Sequence, residues 1–124
     1  MKLQLTRDSV AMGDDADAPH EEERDVAADL TIRAAIEAVL ADRYLASIHG
    51  GRATWAAQAE GGTPLAVVAQ QWGQQARLLT AGQGGLATLA GADGSVRLHF
   101  AYYTQRDPDA VYRELSEHGR APRR

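Results

Sequence analysis

An acidic segment near the amino terminus limits what this chain can bury. Residues 8–29 hold nine carboxylates and one arginine, and their densest part is the run Gly13-Asp14-Asp15-Ala16-Asp17-Ala18-Pro19-His20-Glu21-Glu22-Glu23. Because charged side chains are almost never fully buried unless they are paired, this run is expected to be a solvated loop, a cation site or a docking patch. The remaining residues must therefore supply the hydrophobic core.

The composition is that of one small globular domain. The chain has 124 residues, of which 44% are hydrophobic, and alanine makes up much of that share. We therefore predict a single α+β domain over residues 1–119, with a mainly antiparallel sheet and two helices packed on one of its faces. Residues 120–124 are predicted to be a flexible basic tail. The absence of cysteine excludes disulfides, thiolate zinc sites and cysteine nucleophiles.

Charge and hydropathy narrow the classes of partner. The amino terminus lacks the apolar region and cleavage site of a secretory signal, and no stretch approaches the roughly 20 apolar residues of a membrane span. The formal net charge is −4 and the basic residues are scattered, whereas nucleic-acid binding needs clustered cations to neutralise phosphates. We therefore predict a cytoplasmic protein that binds neither a membrane nor nucleic acid.

Hydrophobic patterning predicts the order of strands and helices. Alternation over residues 2–10 predicts a half-buried strand, and residues 22–27 are typical of a charged edge strand. An apolar stripe predicts a helix over residues 30–44, with Asp29 or Thr31 as its N-cap. Two hairpins (52–59 with 64–72, and 86–90 with 95–105), a short strand at 77–80 and a last helix from Pro108 complete the prediction.

Two resemblances extend this interpretation. The order of hairpin, helix and further strands over residues 1–80 resembles the ubiquitin-like β-grasp arrangement, although the carboxy-terminal Gly-Gly of that family is replaced by Ala-Pro-Arg-Arg. Conjugation chemistry is therefore not implied. The segments Leu5-Thr-Arg-Asp-Ser-Val10, Asp14-Asp15-Ala-Asp17-Ala-Pro-His20 and Gly50-Gly-Arg-Ala-Thr-Trp55 are similar to an uncharacterised group of small bacterial proteins. This second resemblance implies a bacterial cytosolic origin and no particular activity.

The acidic run contains the first candidate binding residues, Asp14, Asp15, Asp17 and His20. Carboxylate oxygens suit a hard cation such as Ca²⁺ or Mg²⁺, but the spacing does not match an EF-hand loop. A solvated or docking loop is the favoured interpretation. We predict no metal site and no cofactor.

A second group of candidates lies on the strand predicted over residues 95–105. Arg97, His99 and Tyr103 would share one face of that strand, where a histidine can perform acid–base chemistry near neutral pH. The alternative is that this face is only the solvent side of the sheet. No patterned serine or aspartate accompanies the histidines, so no catalytic residue is assigned.

The last candidate is Trp72, which lies among four glutamines and is either an anchor of a protein interface or a cap on the core.

The sequence favours a non-enzymatic interaction module: an adaptor, an inhibitor or a self-associating domain such as a homodimer. Its acidic loop would speed association with a basic partner. The alternative hypothesis is a small enzyme or ligand-binding domain with a cleft around Arg97, His99 and Tyr103.

Overall fold

A computed structural model describes residues 1–8, 21–42, 44–45, 53–73 and 75–118 of the chain. Within these residues the chain forms a six-stranded sheet and two α-helices, which confirms the predicted α+β class. The strands are β1 (Lys2–Arg7), β2 (Glu22–Asp25), β3 (Thr54–Ala59), β4 (Pro64–Ala69), β5 (Ala76–Leu78) and β6 (Val96–Tyr102). The helices are α1 (Ile32–Ala41) and α2 (Pro108–His118). No helix in this described part is long and apolar enough to cross a membrane.

The strand order in the sheet is β2-β1-β6-β3-β4-β5. Neighbouring strands are antiparallel except β1 and β6, the second and third strands of the order, which pair in parallel. The last strand therefore lies between the first strand and β3, and its register places Thr6 beside His99 and Gln4 beside Arg97. This pairing brings together residues from the two ends of the chain, and it creates the site described below.

The two helices cover opposite faces of the sheet, so the prediction that both pack on one face is wrong. Trp55 and Ala57 of β3 belong to the core cluster that contains the buried residues of α1, whereas Ala56 between them packs with Val111 and Leu115 of α2. Successive strand residues point to opposite faces. Because β3 and β4 are apolar on both faces, each face requires its own cover.

Helix α2 covers only part of its face of the sheet. It packs on the side of β3 and β4, through a cluster that also includes Val67 and Leu79. On β1 and β6 the residues of this face are Gln4, Thr6, Arg97 and His99, all of them partly exposed. No helix among the described residues covers this half of the face, which we call the open half-face.

One predicted strand is wrong. Residues 86–90 do not form a hairpin with β6; Leu86–Leu89 is a 3-10 turn. Leu86 is fully buried and Leu89 is half-buried, while the two residues between them are exposed. This spacing of three matches the 3-10 helix, in which residues i and i+3 lie on one side. Elsewhere the predicted strands and helices are confirmed with shorter bounds, except that β5 begins at Ala76, one residue before the predicted start. The N-cap of α1 is Thr31, whose Oγ1 accepts a hydrogen bond from Ala34 N.

Helices α1 and α2 also close the β5 edge of the sheet. Leu79 N donates to Leu65 O, and alternate residues of an antiparallel strand direct their backbone groups toward and away from the partner strand. In the register of β5, Ala76 and Leu78 therefore direct their N–H and C=O groups away from β4. The Arg33 guanidinium donates to Ala76 O at 3.0 Å, and Glu37 accepts from Ala76 N at 3.3 Å. From the opposite face, the hydroxyl of Tyr112 donates to Leu78 O at 2.8 Å. Side chains therefore occupy the positions that another strand would need.

Candidate functional site

A cavity of ≈ 770 Å³ opens on the open half-face. Its floor consists of β1, β6 and the end of β3, and its rim consists of the start of β2 and the turn between β3 and β4. The charged and polar residues that line it are Gln4, Thr6, Glu21, Glu22, Glu23, Gln58, Glu60, Arg97 and His99. Glu22 is opposite Leu5 in the sheet, so its side chain lies on the other face, where it pairs with Arg24. We call this cavity the groove.

A hydrogen-bonded chain of three side chains begins at Thr6 and His99 on the floor of the groove and ends at Asp8 beside it. Thr6 Oγ1 lies 2.8 Å from His99 Nδ1, and His99 Nε2 lies 2.9 Å from Asp8 Oδ1. The second carboxylate oxygen of Asp8 accepts a hydrogen bond from Tyr102 N at 2.8 Å. The three side chains therefore form a hydroxyl–imidazole–carboxylate relay, and the backbone of β6 holds its carboxylate end.

The charge of Asp8 determines the direction of these hydrogen bonds. The hydrogen bond from His99 is the largest effect that holds the pKa of Asp8 below its usual value, and the bond from Tyr102 N acts in the same direction. An ionised carboxylate only accepts hydrogen bonds, so His99 Nε2 donates to Asp8. In the neutral imidazole Nδ1 is then the acceptor, and the Thr6 hydroxyl donates to it.

We expect Asp8 to make folding stability depend on pH. Because its pKa is lower in the folded than in the unfolded state, its contribution is present above the unfolded pKa and is lost as the pH falls through the folded pKa. The side chain is 45% exposed, so solvent screening limits the contribution to about 1 kcal/mol or less. Urea unfolding of Asp8→Asn should show a weaker loss of stability than the wild type between neutral and acidic pH. Parallel curves would contradict this prediction.

The only cationic residue among the described groove-lining residues already has anionic partners. Arg97 donates to Asp93 at 3.0 Å and lies 3.9 Å from Glu60. Asp93 is further held by Ser95 N and by the Ser95 hydroxyl, and these hydrogen bonds lower the pKa of Asp93 to about 2. Arg97 therefore offsets little of the negative charge that Glu21 and Glu23 add to the rim.

The structure brings two of the predicted site residues together and separates the third from them. Arg97 and His99 both line the groove, whereas Tyr103 does not. Tyr103 is half-buried, packs against the cluster beneath α2 and has the Arg106 guanidinium 5.8 Å from its ring. Burial raises the pKa of Tyr103. It therefore shares the side of the sheet with His99 but lies under the helix rather than in the groove.

The other predicted site residues lie outside the groove or outside the described residues. Trp72 is half-buried in a 3-10 turn (Gln70–Trp72), with the Arg77 guanidinium 5.2 Å from its ring. Arg77 also lies 4.4 Å from the ring of Tyr112 and pairs with Asp109. Asp14, Asp15, Asp17 and His20 lie outside the described residues. In the described part, no three histidine, aspartate or glutamate side chains are grouped so that they could hold a metal ion.

The sequence interpretation missed two members of the relay, Thr6 and Asp8. They lie two residues apart, so they share a face of β1, but their partner His99 is 93 and 91 positions away in the chain. The only local signal was the alternation of β1, which places polar residues on the face opposite Leu3 and Leu5. Nothing in that alternation indicates a parallel pairing with β6.

Comparison with known proteins gives no relative. No family model, no curated protein and no solved structure matches the chain. The resemblances to the β-grasp arrangement and to a group of small bacterial proteins therefore stay predictions.

Proposed function

We propose that the groove binds a small organic cation. The observation that carries this proposal is the lining itself: Glu21 and Glu23 line a cavity in which the one arginine of the described lining is already paired with Asp93 and Glu60. A volume of ≈ 770 Å³ is within the range of small-molecule sites. An ammonium or guanidinium group would gain Coulomb energy there, whereas an anion would be repelled.

Polar groups in the groove would orient such a ligand. Glu23 is exposed and accepts a hydrogen bond from the Gln4 amide at 3.4 Å, so it keeps its charge for the ligand. Gln58, which pairs with His99 across the sheet, adds an amide that both donates and accepts. Leu5 and Leu98 are lining residues too, but their side chains are buried in the core on the opposite face of the sheet. A ligand that combines a cation with a hydrogen-bonding group fits this chemistry.

The test is calorimetric titration with spermidine at low salt. The double variant Glu23→Gln/Glu60→Gln should raise the Kd at least about tenfold, because each removed charge contributes about 1 kcal/mol when water screens it fully. The matched control is Asp109→Asn/Glu117→Gln, which removes the same charge from the exposed side of α2 and should leave the Kd within about twofold. Equal weakening by both double variants, or no binding by the wild type, would contradict the proposal.

A basic segment of a partner protein is the second candidate ligand. It is favoured by β2, whose exposed Glu23 and Asp25 lie on the groove face at an edge of the sheet, where Asp25 pairs with Lys2 at 2.9 Å. This candidate corresponds to the interaction module that the sequence favours. Its partner is defined here only by its positive charge. An oligolysine peptide that binds far more tightly than spermidine, with a steep dependence on salt, would select this candidate.

The wider setting of the protein is proposed on the sequence alone. We propose a cytoplasmic protein of bacterial origin that contacts neither membrane nor nucleic acid. The scattered basic residues and the net charge of −4 support this proposal. The proposal includes self-association of the protein as a homodimer.

A further inference from the structure

We infer that the relay of Thr6, His99 and Asp8 hydrolyses carboxylic esters that carry a positive charge, with Thr6 as the nucleophile. The inference rests on the proposed function for the binding of the cation, and it adds a chemical step at the floor of the same groove. Three observations carry it: the order of the three side chains, the position of the hydroxyl in the groove lining, and the backbone bond that holds the carboxylate.

The geometry leaves Thr6 Oγ1 as the reactive atom. Both nitrogens of His99 are already bonded, Nδ1 to Thr6 and Nε2 to Asp8, at 2.8 and 2.9 Å. The imidazole therefore has no free nitrogen for a ligand. It can act on a ligand only through the Thr6 hydroxyl. Thr6 and His99 both line the groove. A hydroxyl bonded to a histidine that is itself oriented by a third group is the arrangement that activates a hydroxyl nucleophile.

The carboxylate keeps the imidazole in the tautomer that this reaction needs. Tyr102 N donates to one oxygen of Asp8, which leaves the other oxygen to accept from His99 Nε2. Nδ1 of the neutral ring is then free of a proton and can take one from the hydroxyl. Asp8 touches no reacting atom, and we assign it as a positioning residue.

The reaction balances without any group beyond ester and water. Thr6 Oγ1 forms a bond to the carbonyl carbon as its proton passes to His99 Nδ1, and the carbonyl π pair moves to the oxygen. The carbon–oxygen bond of the leaving alcohol then breaks, and that alcohol takes the proton from Nδ1. Water attacks the acyl-Thr6 ester and gives one proton to Nδ1. Release of the acid returns this proton to Thr6 Oγ1.

The groove contains the two further features that this reaction needs. Gln58, the cross-strand partner of His99, is a hydrogen-bond donor in the groove for the developing oxyanion. The glutamates of the rim favour an ester whose alcohol bears a quaternary ammonium group. An ester of choline has this combination of a reactive carbonyl and a cationic end.

The experiment compares acetylcholine with 3,3-dimethylbutyl acetate, a neutral ester of the same shape, by titration of the acid released. The wild type should cleave acetylcholine, and Thr6→Val, which keeps the shape of the side chain, should lower kcat/KM at least about 10²-fold. Thr6→Ser keeps the hydroxyl and should retain activity within about tenfold. Peptide mass spectrometry should find an acetyl group on Thr6 of the wild type during turnover.

Asp8→Asn provides the test of positioning. Its amide nitrogen would face His99 Nε2 and favour the opposite tautomer, so kcat should fall about 10²-fold or more while KM for acetylcholine stays within about twofold. Because a partly unfolded sample would also lose kcat at an unchanged KM, kcat is calculated per molecule of folded protein, as measured by circular dichroism. Equal fractional losses of activity and of folded protein would overturn the assignment of Asp8.

The outcomes separate this inference from the proposed function. If the wild type binds spermidine but cleaves acetylcholine no faster than Thr6→Val does, the relay is not a hydrolytic site and the cation site stands. If the wild type cleaves both esters equally and the variants Thr6→Val and Asp8→Asn cleave neither, the relay is supported and the preference for cations is overturned. If spermidine does not bind and neither ester is cleaved, both proposals fail.

Discussion

Gly82→Ala is expected to cost at least about 3 kcal/mol of the free energy of unfolding. Gly82 is the buried residue of a 3-10 turn (Thr80–Gly82), and an added Cβ would be 1.9 Å from Leu65 O and 2.9 Å from Leu65 C. The obstacle is backbone that already accepts a hydrogen bond from Leu79 N at 2.8 Å, so it cannot move without breaking the pairing of β4 with β5. Overpacking of this kind exceeds the usual cost of an extra methyl group. Urea unfolding measures the loss as a lower midpoint.

Gly85→Ala is the matched control for this prediction. Gly85 precedes the next 3-10 turn, has a φ of −87°, and nothing lies within 4 Å of an added Cβ. The same substitution there should change the free energy of unfolding by no more than about 0.5 kcal/mol. If Gly82→Ala and Gly85→Ala unfolded at the same urea concentration, the close approach of the Gly82 turn to β4 would be wrong.

Phe100→Ala is expected to cost about 3–5 kcal/mol, the usual range for truncation of a buried phenylalanine. Phe100 is the largest side chain with no exposed surface, and its ring meets the ring of Tyr44 edge to face, with centroids 6.2 Å apart. It lies on β6 between the neighbours β1 and β3, so the lost volume would be at the centre of the sheet. The loss is measured by chemical unfolding of the purified variants.

Phe100→Leu separates lost volume from lost burial at the same position. Leucine keeps most of the apolar volume, so it should cost less than half as much as alanine, or about 1.5 kcal/mol. The neighbouring His99 points to the groove on the opposite face, so spermidine binding by folded Phe100→Leu should be unchanged within about twofold. A cost for alanine below about 1 kcal/mol would mean that Phe100 does not fill the core.

The parts of the fold that depend on local pattern could be predicted from the sequence. The alternation of Leu3 and Leu5 predicted β1, and the stripe from Ile32 to Val39 predicted α1. The segment 86–90 failed because five residues are too short for alternation to differ from a spacing of three. The position of the two helices on opposite faces could not be predicted for a different reason. An alanine- and valine-rich strand such as β4 has no polar side, so its pattern does not show whether one face or both are covered by helices.

The candidate site divides in the same way. Arg97 and His99 could be predicted because they alternate with the buried residues of β6, and a single strand suffices to place them together. Thr6 and Asp8 could not, because they meet His99 only through the parallel pairing of β1 with β6. Tyr103 was expected in the cleft because it lies four residues after His99, and residues an even number apart on a strand share a face. The structure places α2 over this part of the face, and the position of α2 depends on the whole fold.

The closed β5 edge also limits how many copies of this chain can assemble through their sheets. A filament of sheets requires two open edges on each molecule, one to accept the previous copy and one to receive the next. With Arg33, Glu37 and Tyr112 bonded to the backbone of β5, the described part of the molecule offers β2 alone. Two copies joined through β2 would present only closed edges, so growth would stop at the pair. Assembly of this protein by strand addition would thus be self-terminating.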